Sequence, residues 1–256
     1  MNDEFYIGYL DRAPPGIRRR MRGAVLVLLA LSVTAAAVLA TVHQRLPSGT
    51  FEFGAQDSEF VGVVVSDPYP ALRVRRPGAH LDPAEGWSRY LLVAPGKFGA
   101  QGLARGLEGE TVHLRGSLVY LDGRTMIEVD PQSVERVVSE AELQPDPGPT
   151  SLGVHTLVGE IVDSKCHMGV MNPGTRKTHR ACATLCIEGG IPPVLFVEDE
   201  AGQVQRFLLV SRDGRAVNGD VLDMVAEPVR ITGEVLRTDD LLVLRADPAT
   251  YERLNH

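Results

Sequence analysis

Two kinds of apolar pattern run along the chain. From Ala24 to Val42 the sequence AVLVLLALSVTAAAVLATV carries no charge, and as a helix it is long enough to cross the hydrocarbon core of a bilayer. Beyond it the apolar runs are short and bounded by Gly, Pro and Asp, the signature of β-strands. They fall at 60–66, 89–94, 111–120 and 125–129, then at 156–162, 194–198, 205–211, 228–237 and 241–245.

The second set repeats the first. RYLLV at 89–93 matches RFLLV at 206–210, ETVHLRGSL at 110–118 matches EPVRITGEV at 227–235, and DPQSVERV at 130–137 matches DPATYERL at 247–254, all at an offset of 117 residues. FVGVVVSDP at 60–68 pairs with LVGEIVDSK at 157–165 at an offset of 97, so the second copy has gained twenty residues between its first strand and its FLLV strand. Glycines inside the strands, such as Gly62 and Gly159, mark sharp coiling. Strand number and length fit a five-stranded Greek-key barrel better than a sandwich. The expected fold class is mainly β: an N-terminal transmembrane helix, then two tandem OB-like small β-barrels, the second with a Cys/His-bearing helical insertion. The expected boundaries are 1–23 for a cytoplasmic segment, 24–42 for the span, 55–140 for the first barrel, 141–153 for a Pro-rich linker, and 154–256 for the second barrel with its insertion at 163–193.

Charge places the chain in space. Arg18, Arg19, Arg20 and Arg22 precede the apolar run and only Arg45 follows closely, so the positive-inside rule puts the N-terminus in the cytoplasm and the barrels outside. The expected location is a bacterial inner membrane, crossed once. A cleaved signal peptide is the rival, since Val38-Leu39-Ala40 resembles a cleavage site, but the region before the run is long for one. The net charge is −7, and residues 1–23 contribute +2, leaving the remainder at −9. Such a surface repels a phosphate backbone, and a single Trp offers little for base stacking, which argues against nucleic acid as a partner.

All three cysteines lie inside the extra segment of copy two, in DSKCHMGVMNPGTRKTHRACATLCIEGG. TRKTHRACATLCIEGG reads as a helix stopped by Gly189 and Gly190, with His179, Cys182 and Cys186 on one face. Cys166 and His167, just past the first strand and beside Asp163, sit in a loop able to fold over that face. Three chemistries compete. Cys166, His167, His179, Cys182 and Cys186 suit a transition metal such as zinc, iron or copper. A disulfide from Cys166 to Cys182 or Cys186 would staple the insertion and leave one thiol over. A His-activated thiol would do redox work. Met168 and Met171 read as packing residues. APGKFGAQG at 94–102 lacks the phosphate-loop order and reads as a turn, as does the pair Asp239-Asp240.

The order Asp163, Ser164, Cys166, Cys182, Cys186 and Gly190, followed by VRITGEV, resembles a group of small exported bacterial proteins with the pattern D-S-x-C-G, H, C-x-x-x-C-x-x-x-G and a late V-x-V-x-G-x-V strand. The likeness covers about 155–245, and His167 departs from it where the group has Gly. It implies an OB-like fold and an exported compartment, and no reaction. The functional expectation is a membrane-anchored extracytoplasmic binding or accessory protein with a metal or redox centre. Its partner would be another membrane or periplasmic protein. A disulfide-stapled interaction module and a thiol-based redox enzyme are the alternatives, and copy one, without cysteines, reads as a spacer or docking surface.

Overall fold

Met1–Pro47 and Ser48–His256 form separate compact units. The computed structural model describes residues 13–43, 49–54, 58–76, 86–137 and 146–254. The expected cytoplasmic segment up to residue 12, the start of the first barrel domain at 55–57, its end at 138–140, residues 141–145 of the linker and the last two residues of the second barrel domain, 255–256, lie outside them. In the first unit, helix α1 (Pro15–His43) carries the apolar run. Its large side chains are exposed, Leu28 at 62% and Leu39 at 69%, and at 1.5 Å per residue it exceeds the roughly 30 Å of a bilayer core. It is long and apolar enough to cross a membrane, a property that anchors and signal sequences share.

The second unit holds two closed five-stranded barrels of one topology. The first comprises β1 (Ser58–Val65), β2 (Ala71–Arg75), β3 (Trp87–Val93), β4 (Thr111–Leu121) and β5 (Arg124–Val129). β1, β2 and β3 form an antiparallel meander, β3 runs parallel to β5, and β4 closes the ring between β5 and β1. β6 (Thr150–Asp163), β7 (Pro193–Glu198), β8 (Val204–Val210), β9 (Pro228–Thr238) and β10 (Leu241–Arg245) repeat this arrangement, again with one parallel pair, β8 with β10. Each barrel buries the inward residues of its strands: Leu72, Val112, Leu114 and Ile127 in the first, Ile161, Leu195, Leu209 and Leu244 in the second. Strand glycines sit where neighbouring backbones crowd. A Cβ on Gly62 would meet the Arg73 carbonyl oxygen at 2.6 Å, and one on Gly159 that of Phe196 at 2.3 Å. Because Arg73 and Phe196 hold matching places, the coil is the same in both copies.

The register refines the sequence comparison. Val63 pairs with Arg73 as Glu160 pairs with Phe196, so the offset is 97 at the first strand, 123 at the second and 117 from the third onward. The twenty extra residues are therefore a larger insertion before β7, partly offset by a shorter connection after it. β2 is the strand the apolar pattern missed. ALRVR lies between prolines and contains two arginines, of which Arg73 is only 4% exposed.

The copies pack about an approximate two-fold axis. Arg89 of the first reaches Asp239 of the second (3.0 Å), and Arg206 of the second reaches Asp122 of the first (2.9 Å), each partner being the other's equivalent 117 residues on. Leu91, Val93 and Met126 share a core with their equivalents Leu208, Val210 and Val243. This self-complementary arrangement is that of an isologous dimer, built here within one chain. The Asp239-Asp240 turn is thus more than a turn. Asp239 binds Arg73 and Arg89, and Asp240 accepts from the Arg89 backbone N–H and from Arg76.

Candidate metal centre

The symmetry decides where the insertion goes. In copy one the short link between β1 and β2 puts Tyr69 against copy two, its hydroxyl donating to Leu209 O and accepting from Val217 N. In copy two the corresponding link is the inserted segment, so it lands on the equivalent loop of copy one, residues 94–100. Gly99 N donates to Gly189 O (2.9 Å), and Gln101 Nε2 to Gly190 O (2.8 Å). Lys165, buried, reaches Ala94 O, Gly96 O and the Glu128 carboxylate, which together offset the cost of taking its charge out of water. Gly189 allows the approach: a Cβ there would lie 2.0 Å from Lys97 O.

Within the segment, Cys166–Val170 forms a wide helical turn and Arg180–Glu188 forms helix α2. Ala183, Cys186 and Ile187 make the buried stripe of α2, spaced for one face. The helix ends at Gly190, whose φ of +97° suits glycine, and Asn218 Nδ2 donates to the Ile187 and Ile191 carbonyls beyond the last turn.

Four expected residues converge. Cys166 Sγ lies 4.0 Å from Cys182 Sγ and 3.9 Å from Cys186 Sγ. A His179 ring nitrogen lies within 4.8 Å of the Cys166 and Cys182 sulfurs, so Cys166, His179, Cys182 and Cys186 are close enough to hold a metal ion. Asp163, fully buried at the end of β6, fixes two of them: Oδ1 accepts from Cys166 N (2.8 Å) and Oδ2 is bonded to His179 Nε2 (2.9 Å). Both its oxygens are thereby engaged. A carboxylate bonded to one ring nitrogen of a histidine is the usual outer-shell device of metal sites, and it leaves Nδ1 as the ring nitrogen free to ligate.

His167 does not join them. It points to the barrel interface, where Nε2 accepts from Arg206 Nε (2.9 Å) and the ring packs 4.9 Å from Phe196. Burial and the Arg206 charge lower its pKa to about 4, keeping it neutral. It is tied to the contact between copies only through Arg206, which pairs with Asp122 of copy one.

The residue missed from sequence is Lys97. Its Nζ lies 2.7 Å from Cys182 Sγ and 3.7 Å from Cys186 Sγ, and the Cys182 sulfur holds the ammonium above its usual pKa. Copy one is therefore not a spacer; it supplies the cation that covers the cysteines. Inside the cluster a hydrogen bond from the Cys166 thiol pulls Cys186 down to about 7 and pushes Cys166 up, burial adding to the latter. All three cysteines are free thiols, Cys182 being the half-buried one. Met168 is packed in the shared core as expected, whereas Met171 is 46% exposed and does not pack.

No family model matches the chain, and no curated protein matches it. One solved structure that matches is a deletion mutant of the single-stranded DNA binding protein from Thermus aquaticus, 12% identical, covering 82% of this chain and 96% of that one at a TM-score of 0.23. A score that low carries no argument about ligand or fold; the barrel assignment stands on the strand pairing above.

Proposed function

We propose that the chain is a membrane-anchored, extracytoplasmic accessory protein whose second barrel holds a metal ion through Cys166, Cys182, Cys186 and His179. The sulfur spacing carries the reading. Thiolates bound to one tetrahedral zinc-like ion at about 2.3 Å stand about 3.8 Å apart, close to the 3.9 and 4.0 Å found between Cys166 and its two partners. A disulfide needs about 2.05 Å. Three thiolates, a neutral imidazole and a divalent cation carry one net negative charge, and the Lys97 ammonium lies against it.

The apolar helix with arginines at its N-terminal end supports a single span with the barrels outside, as does the resemblance of copy two to exported proteins. The partner on this reading is a membrane or periplasmic protein, served in metal handling or electron transfer. Elemental analysis of the full chain purified in detergent tests the centre. About one equivalent of metal is expected, lost in Cys182→Ser; a metal-free chain with an intact disulfide would refute it. The Lys97–Cys182 contact favours a second reading, a redox thiol, for which a cation beside a half-buried sulfur is the usual setting.

A further inference from the structure

We propose that Lys97 and Cys182 are the two ends of a reversible covalent bridge in which one oxygen atom joins the lysine nitrogen to the cysteine sulfur. Their separation of 2.7 Å is the observation that carries it. Sulfur is larger than oxygen, so an N–H···S contact belongs beyond the N–H···O range, whereas this distance sits at the short end of that range. It is a span that a single bridging oxygen fills. The pair is also placed for the reaction. Cys182 is the half-buried sulfur of the cluster, while Cys166 and Cys186 are buried, so an oxidant from solvent meets Cys182 first. The 94–100 loop that carries Lys97 is fastened on both sides, by Gly99 N to Gly189 O and by Lys165 to Ala94 and Gly96, so the nitrogen is held over the sulfur.

The oxidant is a hydroperoxide, taken here as hydrogen peroxide. The Cys182 sulfur attacks one peroxide oxygen and expels water, moving to the sulfenic level. A second peroxide oxidises at nitrogen as the N–O bond closes. One thiol, one amine and two peroxides give the S–O–N bridge and three waters. The S–H bond and one N–H bond of the free amine are lost, sulfur and nitrogen each give up two electrons, and the two peroxides accept all four. Two equivalents of a dithiol reductant reverse the change, supplying four electrons and four hydrogens, restoring thiol and amine and releasing the bridging oxygen as water. If Cys182 holds a metal as proposed above, the bridge removes that ligand, but the bridge itself does not depend on the metal.

Intact-mass and peptide analysis tests this on the full chain in detergent, treated with hydrogen peroxide in the presence of a chelator and then with dithiothreitol. A gain of about 14 Da is expected, one oxygen in and two hydrogens out. It should come with a cross-linked peptide joining Lys97 to Cys182, loss of tryptic cleavage after Lys97, and full reversal by the reductant. Lys97→Arg and Cys182→Ser should abolish the gain. Products at multiples of about 16 Da, or a loss of about 2 Da, with cleavage after Lys97 intact, would overturn the bridge. Elemental analysis of the untreated protein reads the metal separately, so a bridged chain that never binds metal refutes only the earlier reading, and an unbridged chain that binds it refutes only this one.

Discussion

Asp163→Asn separates the metal chemistry of the cluster from its folding. Asp163 is 0% exposed and touches two site residues, one with each oxygen. An asparagine keeps an oxygen for the Cys166 N–H but turns an NH2 group toward His179 Nε2. That nitrogen must then accept, and the ring proton moves to Nδ1, the nitrogen the proposed metal needs bare. Losing such an outer-shell partner typically weakens metal binding about 10- to 100-fold, or about 1.4–2.7 kcal/mol. Folding of the metal-free chain should change less, because one hydrogen bond is kept and the other reversed; about 1 kcal/mol is the scale. Asp163→Ala, by contrast, leaves two buried donors unpaired at about 1–3 kcal/mol each and should destabilise the metal-free chain by about 2–6 kcal/mol. Competition for zinc with a chromophoric chelator reads the first quantity, and chemical denaturation without metal reads the second. Wild-type zinc affinity in Asp163→Asn would refute the claim that Asp163 sets the tautomer of a ligating His179.

The approximate two-fold pairs Asp239 with Asp122, yet their side chains are 1% and 60% exposed. Asp239→Ala should cost about 3–5 kcal/mol by removing the buried carboxylate that Arg73 and Arg89 share, although Arg89 keeps Asp146, whereas Asp122→Ala removes a 60% exposed carboxylate and should cost less; equal losses in denaturation midpoints would refute a buried latch. His167 has a pKa of about 4 in the folded chain, below its unfolded value, so its contribution is present above about pH 6.5 and is lost as pH falls toward 4. Across that window the wild type should lose up to about 3 kcal/mol that His167→Gln does not lose, and parallel pH profiles would refute this. Residues 150–256 expressed alone would expose Val194, Leu208 and Val210, so they should melt without cooperativity and their cysteines should alkylate faster than in the whole chain; a cooperative melt with protected thiols would show that copy one is dispensable.

Much of the architecture was legible because the barrel leaves short-range marks. Strand glycines, the LLV runs and the closing D-P-x-x-x-E-R segments occur in both copies in one order. β2 escaped because its tertiary setting, an arginine buried against Trp87 and Asp239, overrides what its composition suggests. In the cluster, the helix and its stop were readable from local propensity, and so was the common face of Cys182 and Cys186. The aim of His167 was not. Adjacent to Cys166, it looks like a ligand, and only the position of Arg206 on β8 draws it away.

Sequence alone determined the local and the periodic: an apolar segment long enough to span a bilayer, a doubled β-module, and a thiol-rich insertion confined to the second copy. These follow from runs, spacings and propensities that act within a few residues or repeat along the chain. Tertiary structure decided which copy faces which loop. Lys97 is 85 residues from Cys182, in a stretch whose composition reads as a simple turn, and it meets the sulfur because two like barrels pack about a two-fold axis. That packing depends on the shape and charge of whole surfaces, Arg89 against Asp239 and Arg206 against Asp122, which no local pattern encodes.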